Sequence, residues 1–112
     1  MIEFQYFEGC PNADETLKNL IALKHEGFIS EEIKIVNVES PEKAKELNFQ
    51  GSPTILYNGY DIYTMERPKG FAYNCRVYFI NRFPTGVLPK EFIKERIKIL
   101  KEKKSCLKGK DY

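Results

Sequence analysis

The stretch YFEGCPNADETLKNLI, residues 6–21, places a cysteine where one structural period gives way to another. Before it, Ile2-Glu3-Phe4-Gln5-Tyr6-Phe7 alternates apolar and polar residues, the period of a half-buried strand. After it, from Ala13, apolar residues recur at Leu17, Leu20, Ile21 and Phe28, which predicts one buried helix face. Gly27 supplies a stop, and Lys24 and His25 in the last turn complement the negative end of the helix. Cys10 therefore stands at a strand-to-helix junction. Pro11 follows at the first helical position, where its missing N–H leaves nothing unsatisfied.

Working outward, Ile33 to Val38 is β-branched and largely apolar, the pattern of a strand buried on both faces. Ser40-Pro41-Glu42 reads as a helix start, with Ser at the N-cap and Pro at the first position. That helix is short and ends near Asn48. Thr54-Ile55-Leu56-Tyr57 predicts a third strand, and Asn58-Gly59 after it is a two-residue hairpin signal. Tyr60 to Asn74 carries no clear period. Cys75-Arg76-Val77-Tyr78-Phe79-Ile80 predicts a fourth strand, Phe83-Pro84-Thr85-Gly86 a turn, and Phe92, Ile93, Ile97 and Leu100 a last helix.

The order is βαβ, with a second helix, followed by ββα. A strand, crossover helix and strand imply parallel pairing with a right-handed connection. The hairpin adds antiparallel strands. The expected architecture is one α/β domain over residues 1–100, a four-stranded mixed sheet with helices on both faces, then a basic helix end or tail over 101–112.

At 112 residues the chain fits one domain and one core. Its 18 basic and 16 acidic residues leave a net charge of only +2, and no basic stripe interleaved with aromatics points to nucleic acid. No apolar run approaches the ~20 residues of a membrane span, and the opening residues lack a secretory pattern, so a cytoplasmic location is expected. Three cysteines (Cys10, Cys75 and Cys106) are too few for a disulfide framework, and with one histidine they do not space as a structural zinc site. No metal or cofactor is expected. His25 is expected at the surface, and Cys106, in the lysine-rich tail, is expected to be exposed and without a catalytic role.

Gly9-Cys10-Pro11 at the first junction and Gly51-Ser52-Pro53-Thr54 before the third strand resemble the paired segments of thioredoxin-like proteins. The whole pattern YFEGCPN…GSPT…CRVY is similar to a group of small thioredoxin-like proteins, some of which carry thioredoxin, glutaredoxin or alkylmercury lyase names. The resemblance implies a thioredoxin-like fold and a cis bond before Pro53, with that proline facing Cys10. It implies a site of Cys10, Pro11, Asn12, Ser52, Pro53 and Thr54. Ser52 would then offer backbone groups to an extended thiol-bearing substrate, as a strand edge does.

The chemistry of Cys10 agrees. The thiolate is the nucleophile, and unpaired N–H groups at a helix start favour it. Glu8 and Asp14 would oppose it if their carboxylates came close. Ala13 occupies the place of a second cysteine in a Cys-x-x-Cys pair, so no disulfide can form within the motif. Three routes remain: exchange with a low-molecular-weight thiol, a distant resolving cysteine, or binding without turnover. Cys75 is the possible resolving thiol. A fourth strand running from Cys75 antiparallel to the third would start more than ~10 Å from Cys10, too far for a bridge. A chain that turns at Asn58-Gly59 and folds residues 64–75 over Cys10 would deliver it. Arg76 would face away from Cys75 in a regular strand.

The function expected is thiol–disulfide or mixed-disulfide exchange at a single nucleophilic cysteine, with a low-molecular-weight thiol or a protein thiol or disulfide as partner. The alternatives are a non-catalytic binding module and thiolate handling of soft metals such as mercury or copper(I).

Overall fold

The structure, a computed structural model, describes the backbone of residues 1–110 and the side chains of residues 1–102. The expectations for Cys106 and for the end of the basic tail lie outside the described residues.

Strand β1 (Ile2–Tyr6) runs into helix α1 (Pro11–His25), and β2 (Ile33–Asn37) returns parallel to β1. Helix α2 (Pro41–Leu47) follows, with the Ser40 side chain accepting from the Lys43 N–H as the N-cap reading requires. After the short β3 (Gln50–Ser52), β4 (Thr54–Tyr57) pairs antiparallel to β1, and the Asn58-Gly59 turn sends β5 (Tyr60–Asp61) back along β4. Asn58 and Gly59 have φ of +50° and +87°, the left-handed pair of a tight hairpin. The main sheet is thus four-stranded and mixed, in the order β2-β1-β4-β5.

One face of that sheet, carrying Ile2 and Phe4 of β1 with Ile55 and Tyr57 of β4, packs under α1 and under α3 (Lys90–Lys110). Leu20 and Leu23 of α1 and Ile93 and Ile97 of α3 are fully buried there. A smaller cluster of Val38, Ala44 and Phe49, joined by Val36 and Leu47, seats α2. Val36 lies in register with Gln5, one residue out of phase with Phe4, so the pleat puts α2 against the opposite face.

Four local expectations give way. The α1 stripe is Ala13, Thr16, Leu20 and Leu23, and Ile21 faces solvent. Strand β2 is an edge strand and Ile35 is 51% exposed, so its β-branched run reflects fit to a pleat rather than burial on both faces. The segment from Cys75 to Ile80 is not one strand. It divides into β6 (Ala72–Cys75), parallel to β3, and β7 (Tyr78–Ile80), because Arg76 turns inward to a buried carboxylate. Phe83-Pro84-Thr85 is strand β8, antiparallel to β7; the turn is Asn81-Arg82, at φ +52° and +72°. Pro84 is tolerated because this two-stranded ribbon has free edges.

Candidate functional site

Cys10 is the N-cap of α1, with extended backbone and Pro11 next. It is 7% exposed and belongs to the main core cluster, yet it also lines an open depression of about 360 Å³ with Tyr6, Phe7, Gly9 and Pro11. Glu8 and Asp14 share the rim of that depression. The Cys10 thiol donates to the carbonyl of Ser52 at 3.5 Å. The Ser52–Pro53 peptide bond is cis, as expected.

The decisive feature is Cys75. After β5 the chain folds back, and β6 joins β3 with Cys75 in register with Ser52. The Cys75 sulfur comes to 3.9 Å from the Cys10 sulfur, 65 residues away in sequence. Of the two geometries open to the sequence, the fold takes the one that delivers Cys75. Cys75 itself is exposed, and its thiol is pushed above its ordinary value. Partial desolvation is the first cause, followed by the hydrogen bond to Cys10 and the charge of that sulfur when ionised.

Gly51 makes the approach possible. Its φ is +108°, and a Cβ there would stand 3.1 Å from the Asn74 carbonyl oxygen and 3.1 Å from Arg76 Cβ. Only glycine fits both the dihedral and the space.

The remaining predicted residues lie around the pair but differ in what they offer. Pro11 is exposed at the start of α1. Asn12 packs against Gly86, where a Cβ would come within 2.0 Å of its Nδ2. Ser52, Pro53 and Thr54 are buried. The Ser52 hydroxyl accepts from the Phe7 N–H at 3.3 Å, and the Thr54 hydroxyl donates to the Gly51 carbonyl. The Ser52 carbonyl is also taken by the Arg76 N–H at 2.9 Å. The edge expected to receive an extended substrate is therefore filled by β6 of the same chain.

Asp61, and its pairing with Arg76, are what sequence reasoning missed. The Arg76 guanidinium meets Asp61 Oδ2 at 2.8 Å, the two side chains being 10% and 1% exposed. Oδ2 makes no aligned hydrogen bond, so this contact is ionic, while Oδ1 accepts from the Tyr63 N–H at 2.8 Å. No local signal marks the pair, because Asp61 follows a hairpin and Arg76 sits in an apolar run. Among the described residues no three Cys, His, Asp or Glu side chains gather as a metal site, and no helix is long and apolar enough to cross a membrane. Comparison with protein-family models, curated proteins and solved structures gives no match.

Proposed function

We propose that this protein carries out thiol–disulfide exchange on a thioredoxin-like scaffold, with Cys10 as the nucleophile and Cys75 as its resolving thiol. The observation that carries the reading is the 3.9 Å separation of two free sulfurs contributed by residues 65 apart. The supporting features are the Ser52 carbonyl that receives the Cys10 thiol, the sheet order and the open depression. A cavity of that size has room for a small thiol or disulfide.

The steps balance as follows. The Cys10 thiolate attacks one sulfur of a disulfide RSSR′, forming a Cys10–SR mixed disulfide and releasing R′S⁻. Cys75 gives its proton to solvent or to the departing thiolate and attacks the Cys10 sulfur. This expels RS⁻ and leaves a Cys10–Cys75 disulfide. The protein loses two electrons and the substrate gains them; a low-molecular-weight thiol returns the protein to the dithiol. Exchange requires access of the attacking thiolate to the sulfur, and exposed Cys75 meets that condition.

Treatment with hydroxyethyl disulfide, followed by intact and peptide mass spectrometry, tests the sequence of events. Wild type should lose two hydrogens and show a Cys10–Cys75 crosslink. Cys75→Ser should accumulate a Cys10 mixed disulfide, and Cys10→Ser should abolish exchange with glutathione as reductant. If Cys75→Ser releases its adduct as fast as wild type, Cys10 works alone with external thiol. If wild type neither crosslinks nor turns over, the groove is a binding site and the catalytic reading fails.

The same distance favours one second reading. Two thiolates without a third ligand suit a soft, two-coordinate ion such as copper(I). Titration of reduced protein with copper(I) against a competing chelator should show one site that is lost in either cysteine variant; binding unchanged in both sinks it.

A further inference from the structure

Arg76 follows Cys75 directly, yet its side chain leaves the sulfurs and runs into the protein. Its guanidinium reaches Asp61 at 2.8 Å and the Thr54 hydroxyl at 3.1 Å. It lies 4.7 Å from the centre of the Tyr78 ring and 5.4 Å from that of Tyr63. The Tyr78 hydroxyl donates to the Pro53 carbonyl. Every partner of Arg76 thus belongs to the Ser52–Thr54 segment, to the hairpin strand after it, or to an aromatic packed on them.

The backbone repeats the pattern. The Ser52 carbonyl accepts from the Arg76 N–H at 2.9 Å and from the Cys10 thiol at 3.5 Å. One oxygen thus holds the Cys10 thiol and the backbone of the residue that follows Cys75. Cys75 itself makes only the contact to Cys10 among the side-chain hydrogen bonds of the described residues. Its strand is short, Asn74 before it is exposed, and β6 pairs with β3 alone. Tyr73 seats the outer part of β6 on Phe7 and Phe49 and donates to the Val38 carbonyl at 3.2 Å, but next to Cys75 the contact to a buried charge is that of Arg76, the residue after the strand.

We infer that the Arg76–Asp61 pair is the positioning device of the site, holding β6 on β3 so that Cys75 stays within reach of Cys10. The inference rests on the two-cysteine reading above. Both polar contacts run through Nη1, so what Lys cannot reproduce is a planar group that packs on the Tyr78 and Tyr63 rings while its nitrogen meets Asp61. Removing one partner alone leaves a buried charge without compensation. A neutral double replacement avoids that.

The experiment measures the equilibrium between the Cys10–Cys75 dithiol and disulfide in glutathione redox buffers, with folding checked by circular dichroism. Arg76→Lys and the double variant Asp61→Asn/Arg76→Gln are compared with wild type. Each should lower the effective concentration of the two thiols tenfold or more, and iodoacetamide labelling of Cys75 in the reduced protein should move to lower pH as its contact to Cys10 is lost. Thr54→Val, which removes one partner of the guanidinium and strands no charge, should show a smaller loss in the same direction. An unchanged equilibrium in any folded Arg76 variant overturns the inference and leaves the two-cysteine reading standing. Absence of the crosslink in wild type overturns that reading, and the positioning role with it.

Discussion

A thiol at a protein surface ordinarily titrates as it does in a peptide. Cys75 is exposed, yet its thiol is held above the ordinary range, first by partial desolvation and then by two causes that run through Cys10. A hydrogen bond donated to the Cys10 sulfur favours the protonated form of Cys75, and so does negative charge on that sulfur. The sign follows directly. Alkylation requires the thiolate, so Cys75 in wild type should label with a midpoint at higher pH than the same cysteine in Cys10→Ala. Rates taken by mass spectrometry between pH 7 and 10 read that difference; coincident profiles would mean that the two sulfurs do not interact in solution. Cys10 was legible at this scale, because Gly-Cys-Pro between an alternating and a helical segment leaves a thiol only one place to stand. Cys75 was not. Its position depends on a return path through Tyr60–Asn74, a segment whose periodicity gives no direction.

At the scale of elements, α1 shows how a real helix face differs from a plausible one. Leu17, Leu20, Ile21 and Phe28 fit a helical stripe, but so do Ala13, Thr16, Leu20 and Leu23, and the second set is buried. Thr16 hides the better answer because it is polar; it is buried to accept the Leu88 N–H at 3.2 Å, tying α1 to the segment before α3. Leu23→Ala should therefore destabilise by about 3 kcal/mol, and Ile21→Ala by about 0.5 kcal/mol or less. Urea unfolding of both decides between the stripes, and equal losses would contradict the burial. Short β3 poses a harder reading problem. Gly51-Ser52-Pro53-Thr54 announces a special backbone, but not that a second strand lies against it. Gly51→Ala would force a side chain into the left-handed region and against the Asn74 carbonyl. It should cost about 2 kcal/mol and slow formation of the Cys10–Cys75 crosslink. A stable variant that crosslinks at the wild-type rate would show that β6 does not need this close approach.

For the whole molecule, the order of elements was legible because each crossover leaves a periodic trace: strand, helix, strand, helix, then the Asn-Gly hairpin. What the order does not contain is the junction of residues 10 and 75, which belongs to neither the main sheet nor a helix pair. That junction has a thermodynamic consequence for the entire chain. A disulfide across a separation of 65 residues restricts the unfolded ensemble by about 4 kcal/mol in the chain-entropy model. The sulfurs must close by roughly 2 Å to reach bonding distance, and any strain in doing so subtracts from that gain. Oxidised protein should thus unfold at a urea concentration about 2 M higher than reduced protein. The relation also runs the other way, since whatever the disulfide adds to the fold, the fold must add to the disulfide. The dithiol–disulfide equilibrium should therefore shift toward the dithiol in denaturing urea by the same free energy that separates the two unfolding curves. Measuring both closes a cycle. Agreement means that the native fold, and not chance collisions of a flexible β6, holds the two thiols together. If the oxidised form gains no stability, or the equilibrium is the same in native buffer and in urea, the fold does not bring these sulfurs together and the exchange reading loses its structural basis.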